Sequence, residues 1–159
     1  MICKQHFGTF MAVKYQLIYS KEGGIMIITS EDRNIYAEIG NYEIINCFYS
    51  TIIINLKNDL DGIGLAINFL ENGHCKAQDC IETAREFNLI RDRLSLITVD
   101  RLVYDMNNPS KKAPWHGNIS PIVTSCGNFF TTSDGKDLIF EINKVLCYAS
   151  IKRISVLCQ

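Results

Sequence analysis

The feature that most constrains the fold is one proline-rich stretch in the C-terminal half of the chain. All three prolines and the only tryptophan, Trp115, lie between Pro109 and Pro121. Proline fixes φ and biases the preceding residue toward extended geometry, so this stretch predicts a stiffened loop rather than a flexible one. The rest of the chain is expected to be organised around this loop.

Local signals on both sides of the loop predict how it is joined to regular structure. Residues 99–104 mix apolar and polar positions in the manner of a half-buried strand. Ser120 before Pro121 predicts a helix start, because serine accepts hydrogen bonds from free N–H groups and proline has no N–H to satisfy. A second start is predicted at residues 133–137, with Asp134 as the cap and Asp137 near the positive end of the helix dipole.

Hydrophobic periodicity predicts the remaining elements. Alternation favours strands over residues 13–19, 25–29 and 35–39, which would form an N-terminal antiparallel meander. Helical spacing then predicts helices over residues 42–57, 63–70 and 76–94, although β-branched residues leave a strand within residues 48–56 open. After the loop, a helical stripe begins at Leu138, and residues 151–157 predict a closing strand. The predicted fold class is α+β: a single domain with a mixed or antiparallel sheet and helices packed mainly on one face.

Length and composition restrict the domain organisation and the possible partners. With 159 residues, 47% of them hydrophobic and 21% charged, the chain is expected to form one globular domain. Because Met11 resembles an alternative start, we predict an N-terminal extension over residues 1–10 and the domain over residues 11–159. The net charge of −1 offers no basic surface, so direct nucleic-acid binding is not expected. No apolar run approaches the roughly 20 residues of a membrane helix and no signal peptide is recognisable, so we expect a cytoplasmic protein without membrane contact.

The cysteines and histidines are candidate residues for metal binding or catalysis. The seven cysteines are odd in number and contain no CxxC pair, so they are expected to be reduced and mostly buried. His74, Cys75 and Cys80 suggest a zinc site, but a second tight pair of ligands is missing. A nucleophile pair of Cys126 and His116 lacks an orienting third group, and catalysis by Cys126 or Cys75 would need a depressed thiol pKa. We therefore expect no enzyme, no metal and no cofactor.

The acidic residues are distributed unevenly along the sequence. Between residues 31 and 61 the acids outnumber the two bases, Arg33 and Lys57; the acids are Glu31, Asp32, Glu38, Glu43, Asp59 and Asp61. Such residues are either ordinary solvated surface or an acidic patch for a basic partner, since charge complementarity raises association rates and sets partner choice. Trp115 has two interpretations as well, because its indole can close the edge of a core or contact a partner.

Several short motifs along the chain resemble those of one protein family. They are KKAPW at residues 111–115, NIS at 118–120 and FTTSDGKDL at 130–138, preceded by FYSTI at 48–52 and VYD at 103–105. This pattern resembles the immunity protein 70 family, with its KKPPW loop, NIS and TSDGKDL. Residues 11–13 (MAV) resemble the usual start of the family, so the likeness spans most of the chain from Met11 to Leu138 and is strongest after Val99. Ala113 stands where the family has proline, which is expected to loosen the loop slightly.

The resemblance implies a non-enzymatic immunity protein of a bacterial polymorphic-toxin or contact-dependent growth inhibition system. Such a protein binds the cognate toxin domain, typically a nuclease, and blocks its active site; we expect a 1:1 complex. Carboxylates can lie where the phosphates of nucleic acid would bind, with an aromatic anchor that excludes water. The candidate toxin-binding residues are Glu31, Asp32, Asp59, Asp61 and, as the anchor, Trp115. Two alternatives stay open: the motif residues, Trp115 included, are structural, or the chain is a regulatory or scaffold module with a host partner.

Overall fold

The described part of the chain begins with a β-hairpin. A computed structural model describes residues 24–159, so the predicted extension over residues 1–10 and the predicted strand over residues 13–19 lie outside it. Strand β1 (Ile25–Ser30) pairs antiparallel with β2 (Tyr36–Asn41), and the register shifts between Met26 and Ile27. The strands predicted over residues 25–29 and 35–39 are confirmed.

The described strands form one antiparallel sheet in the order β2-β1-β4-β3. Strand β4 (Val156–Cys158) lies between β1 and the two-residue strand β3 (His74–Cys75). The closing strand predicted over residues 151–157 is therefore present, but its predicted start is wrong. The last helix continues through Lys152 and ends where Arg153 adopts a left-handed conformation with φ of 58°, and only then does the chain extend.

Within residues 24–159, four α-helices account for the helical spacing seen in the sequence. They are α1 (Tyr42–Leu56), α2 (Gly64–Asn72), α3 (Cys80–Ser95) and α4 (Leu138–Lys152). The alternative of a strand within residues 48–56 is wrong. Ile45, Phe48 and Ile52 lie one turn apart and are all fully buried, so packing outweighs the low helix propensity of the β-branched residues. The α+β fold is confirmed.

Capping side chains explain where α1 and α4 begin. Asn41 is the last residue of β2 and its side chain accepts a hydrogen bond from Ile44 N at 3.0 Å, so α1 starts without a connecting loop. The cap of α4 is Asp137, which accepts from Phe140 N at 2.6 Å; the prediction that Asp134 is the cap is wrong. Asp134 instead accepts from the hydroxyl of Thr132 at 2.5 Å, within the turn before the helix.

The segment before the proline-rich loop is not a strand, so that prediction is wrong. Residues 99–101 form a single 3₁₀ turn, and the chain then runs along α1 without a strand neighbour. Its backbone groups bind α1 side chains instead: Val103 N donates to the hydroxyl of Thr51 at 3.0 Å and Met106 N to that of Ser50 at 3.2 Å. Because these hydroxyls satisfy the backbone, no sheet partner is needed.

The loop itself holds no regular helix between residues 102 and 137 apart from one 3₁₀ turn, Cys126–Asn128. The helix start predicted at Ser120 and Pro121 is wrong. The side chain of Asn128 accepts from Ser125 N at 3.1 Å and donates to Ile122 O at 3.1 Å, so it binds the backbone groups that a helix would otherwise pair. Hydrogen bonds to Thr51 and Ser50 of α1 hold the start of this segment, and the stiffness of the loop stays a prediction. Within residues 24–159, no helix has both the length and the apolar character needed to cross a membrane.

Candidate functional site

Two of the predicted site residues, Glu31 and Asp32, lie in the turn between β1 and β2. The carboxylate of Asp32 accepts from Ser30 Oγ at 2.7 Å, from the backbone and side chain of Asn34, and from the Tyr148 hydroxyl at 3.0 Å. The bond from Ser30, with the smaller contributions of Asn34 and Tyr148, lowers the pKa of Asp32 to about 2. Glu31 Oε2 accepts from Ser155 N at 3.1 Å. Both carboxylates therefore fasten this turn to the C-terminal part of the fold.

Asp59 and Asp61 lie in the loop between α1 and α2, and Arg93 of α3 holds that loop. Arg93 Nε is 3.1 Å from Asp59 Oδ2, and its two terminal nitrogens donate to Asp59 O at 2.6 Å and Asp61 O at 2.9 Å. The carboxylate of Asp61 has no ion pair among residues 24–159. One arginine thus fixes the loop backbone and neutralises Asp59, while the Asp61 charge remains available.

The structure does not bring the two acidic pairs together. Asp32 meets Tyr148 near the end of α4, whereas Arg91, two residues before Arg93, pairs at 2.7 Å with Asp137 at the start of α4. With a rise of 1.5 Å per residue, these two ends of α4 are roughly 16 Å apart. The four acids therefore form two separate carboxylate pairs, and their role in toxin binding stays a prediction.

Trp115 belongs to a series of aromatic rings that runs from the loop into the core. Its ring centroid lies 5.2 Å from those of Tyr104 and Phe129. Phe129 then contacts Phe130 at 5.0 Å, and Phe130 contacts Phe48 of α1 at 4.9 Å. Phe48 and Phe130 are buried, whereas Trp115, Tyr104 and Phe129 are half-buried. This geometry favours the structural interpretation of Trp115, with one side of the indole left accessible.

A surface cavity lies beside this aromatic series, where α1 begins. Its volume is about 500 Å³, and its lining residues include Tyr42, Glu43, Asn46, Tyr104, Asp105, Asn107 and Lys111. Burial, with the Asp105 charge as the next cause, raises the pKa of Tyr42. Burial likewise raises the pKa of Tyr104, and the nearby Glu43 carboxylate adds to this shift. Both phenols therefore stay protonated and can donate hydrogen bonds.

Lys111 lies over the rim of this cavity. Its Nζ is 3.4 Å from Glu43 Oε1 and 4.9 Å from the centroid of the Tyr104 ring. These contacts join the proline-rich loop to the first turn of α1. The hydrogen bond that Lys111 donates to the Glu43 carboxylate raises the pKa of Lys111, so the ammonium stays charged.

Sequence reasoning missed most of this cavity. It noted Glu43 as one of several acids, and Lys111, Tyr104 and Asp105 as parts of family-like motifs, but it did not place them together. These residues converge through tertiary contacts. Residues 101–106 run along α1 from its last turn, where Asn55 donates to Arg101 O at 2.9 Å, to its middle, where Ser50 accepts from Met106 N. Lys111 then reaches Glu43 in the first turn. No local sequence pattern predicts this path of the chain along α1.

The cysteines offer no activated nucleophile at Cys126. Burial raises the pKa of the Cys126 thiol to about 11 and that of Cys47 to about 12, and Cys126 Sγ donates to Thr98 O at 3.3 Å. A bond from the Cys80 thiol lowers the pKa of Cys75, but both thiols are buried. Within residues 24–159, no three His, Cys, Asp or Glu side chains are grouped so that they could hold a metal ion.

Comparison with known proteins identifies the family. The family model described as immunity protein 70 matches residues 30–157, which is most of the chain and contains the cavity, the aromatic series and both acidic pairs. No curated protein and no solved structure matches the chain. The chain therefore belongs to the immunity protein 70 family.

Proposed function

We propose that this protein binds and neutralises one cognate toxin domain, a nuclease of a contact-dependent growth inhibition or other polymorphic-toxin system. The observation that carries the proposal is the family match over residues 30–157, which implies an immunity protein with a toxin partner. The protein acts as a stoichiometric inhibitor in the cytoplasm, forms a 1:1 complex and blocks the toxin active site without catalysis of its own.

The acidic loop between α1 and α2 is the charged surface we assign to the toxin. Asp32 already accepts hydrogen bonds on both carboxylate oxygens, so we give it and Glu31 a structural role first. The Asp61 carboxylate has no hydrogen bond or ion pair with any group of residues 24–159, and Arg93 fixes the Asp61 backbone beside Asp59. A loop backbone held in place before association loses little conformational freedom on binding, which favours affinity. Against a basic cleft, such carboxylates raise the association rate and select the partner.

The inhibitory surface extends from this loop along α1. Residues 101–106 lie along the C-terminal half of α1, and Lys111 pairs with Glu43 in its first turn. The chain from Arg101 to Lys111 therefore follows the helix over roughly 20 Å, from the Asp61 end to the cavity end. Toxin and immunity protein would each bury about 800 Å² in a standard complex, a patch wide enough to cover both ends. The half-buried Trp115 lies within reach of the cavity end through its contact with Tyr104.

The test uses the toxic C-terminal domain encoded directly upstream of the gene. We expect tight 1:1 binding by calorimetry and light scattering, growth rescue on co-expression, and loss of cleavage in assays with RNA and DNA substrates. Asp61→Lys should slow association at least tenfold at low salt, whereas Asp92→Lys, at an exposed site on α3, should not. Absence of both binding and rescue would overturn the proposed function and favour a scaffold role with a host partner.

A further inference from the structure

The cavity at the start of α1 already receives one positive charge from the chain itself. Lys111 pairs with Glu43 and lies over the Tyr104 ring, the arrangement by which proteins bind cationic groups between a carboxylate and an aromatic face. Both partners of the ion pair are largely exposed, 44% for Lys111 and 52% for Glu43. Exposed pairs of this kind contribute little to stability, so Lys111 can leave at low cost.

Polar groups in the cavity remain without partners when Lys111 is in place. The Asn46 side chain is more than nine-tenths buried and lines the cavity, but its amide has no hydrogen-bond partner among residues 24–159. The amide oxygen and nitrogen are not sealed from the cavity, so a ligand bound there can reach both. Asp105 uses Oδ1 to accept from Asn107 N at 3.0 Å, which orients its carboxylate at the same rim. The volume of about 500 Å³ exceeds what one ammonium group fills.

We propose that this cavity binds an arginine side chain of the toxin, which displaces Lys111 from Glu43 and Tyr104. The proposal rests on the proposed function and names the chemistry of the partner at one point of the interface. A guanidinium is planar and has five donors, so it can serve the Glu43 and Asp105 carboxylates and the Asn46 carbonyl at once. Lysine, with a compact ammonium on a flexible stem, fits this spread of acceptors less well.

The charges of the cavity favour a cation over an anion. Glu43 and Asp105 outnumber Lys111, and a bound anion would have to lie beside both carboxylates. The start of α1 would otherwise attract an anion through its free N–H groups, but Asn41 caps Ile44 N and Glu43 already supplies a negative charge in the first turn. The rings of Tyr42 and Tyr104 add aromatic faces on which a guanidinium can stack.

The first test uses N-acetyl-L-arginine amide as the probe and the isolated full chain as the target. In ¹H–¹⁵N spectra we expect millimolar binding, with shifts at the Asn46 side-chain amide and at the backbone of Glu43 and Tyr104. Lys111→Met removes the internal competitor and should tighten binding about fivefold. The uncharged isostere N-acetyl-L-citrulline amide should bind at least tenfold more weakly. Equal binding of the two probes, or no shift at the cavity in Lys111→Met, would overturn the proposal.

The second test uses the cognate toxin and separates this proposal from the proposed function. Glu43→Gln should weaken the toxin complex at least tenfold. The matched control is Glu82→Gln on α3, which removes an ion pair to Arg85 from a first-turn glutamate with the same 52% exposure; it should leave binding unchanged. If the toxin binds tightly and Glu43→Gln leaves its affinity unchanged, the arginine site is overturned, whereas the immunity function is retained. Failure of the toxin to bind the unmodified chain would overturn the function, whatever the probe shows.

Discussion

The rings of Phe48 and Phe130 meet edge to face with their centroids 4.9 Å apart, and this contact joins the long loop to the core. Phe48 lies on α1 and is fully buried, whereas Phe130 lies at the end of the loop, shortly before α4. Through Phe129 the same series reaches Trp115. The loop thereby gains a fixed position relative to α1, which the proposed toxin-binding surface on both requires.

Trp115→Ala should lower the free energy of unfolding by about 2–3 kcal/mol, because it removes the contacts with Tyr104 and Phe129 from a half-buried position. Trp115→Phe keeps an aromatic ring there and should cost about 1 kcal/mol or less. Urea unfolding followed by circular dichroism measures both. If Trp115→Ala leaves stability unchanged and abolishes toxin binding, the indole is a binding anchor and not a structural ring.

A buried carboxylate connects α2 and α3. Glu86 of α3 is 8% exposed, and its Oε2 accepts from Ala66 N in the first turn of α2 at 2.8 Å, where α2 has no cap from its own side chains. Glu86→Ala leaves that N–H without its partner and should cost about 1–3 kcal/mol. Glu86→Gln keeps an acceptor oxygen and should cost about 1 kcal/mol or less at pH 4.

The pH dependence of these variants provides the control. Burial raises the pKa of Glu86, so the native state holds its proton more tightly than the unfolded chain does. The resulting stabilisation is present below about pH 4 and is lost as the pH rises through the raised native pKa. Glu86→Gln cannot titrate, so its stability relative to the unmodified protein should increase between pH 4 and pH 7. A constant difference over that range would contradict this role.

The helices could be predicted from the sequence because each buries one apolar face. The residues of such a face recur every three or four positions, which is a local pattern in the chain. Leu138, Ile142 and Val145 of α4 show this, since all three are fully buried. The strand expected at residues 99–104 was wrong for the opposite reason. The partners of Val103 and Met106 are hydroxyls of α1 about fifty residues earlier, and no local pattern encodes them.

The residues of the candidate site could likewise be predicted only in part from the sequence. Trp115 and the acids could be named from the sequence as unusual residues, but their surroundings could not. The cavity exists because the start of α1, with Asn46 and Glu43, meets the segment from Tyr104 to Lys111, and that meeting depends on the path of the loop along α1. The predicted cap Asp134 was wrong because its carboxylate accepts from the Thr132 hydroxyl within the turn, whereas Asp137 accepts from Phe140 N.

Gly127 is expected to be irreplaceable for steric reasons. A Cβ at this position would lie 2.8 Å from Ser95 N and 2.9 Å from Ser95 Cα, so it would clash with the backbone of the last residue of α3. Gly127→Ala should therefore destabilise the protein by about 1–3 kcal/mol. Gly64→Ala is the matched control, because nothing lies within 4 Å of that Cβ and Gly64 opens α2; it should stabilise by about 0.5–1 kcal/mol. Equal midpoints of urea unfolding for the two variants would contradict the steric argument.

The Asp32 carboxylate should make the stability of the fold depend on pH in the acidic range. The native pKa of about 2 lies below the roughly 3.9 of an unfolded aspartate, so the stabilisation by this carboxylate is present above pH 4 and is lost as the pH falls toward 2. Asp32→Asn should lower the melting temperature at pH 7 and approach the unmodified protein near pH 2. Tyr148→Phe removes one of the donors and should reproduce a smaller part of the same loss in the same pH window. Calorimetric scans at pH 7, 4 and 2.5 measure the differences, and a deficit of Asp32→Asn that persists undiminished at pH 2.5 would show that packing, not charge, stabilises this turn.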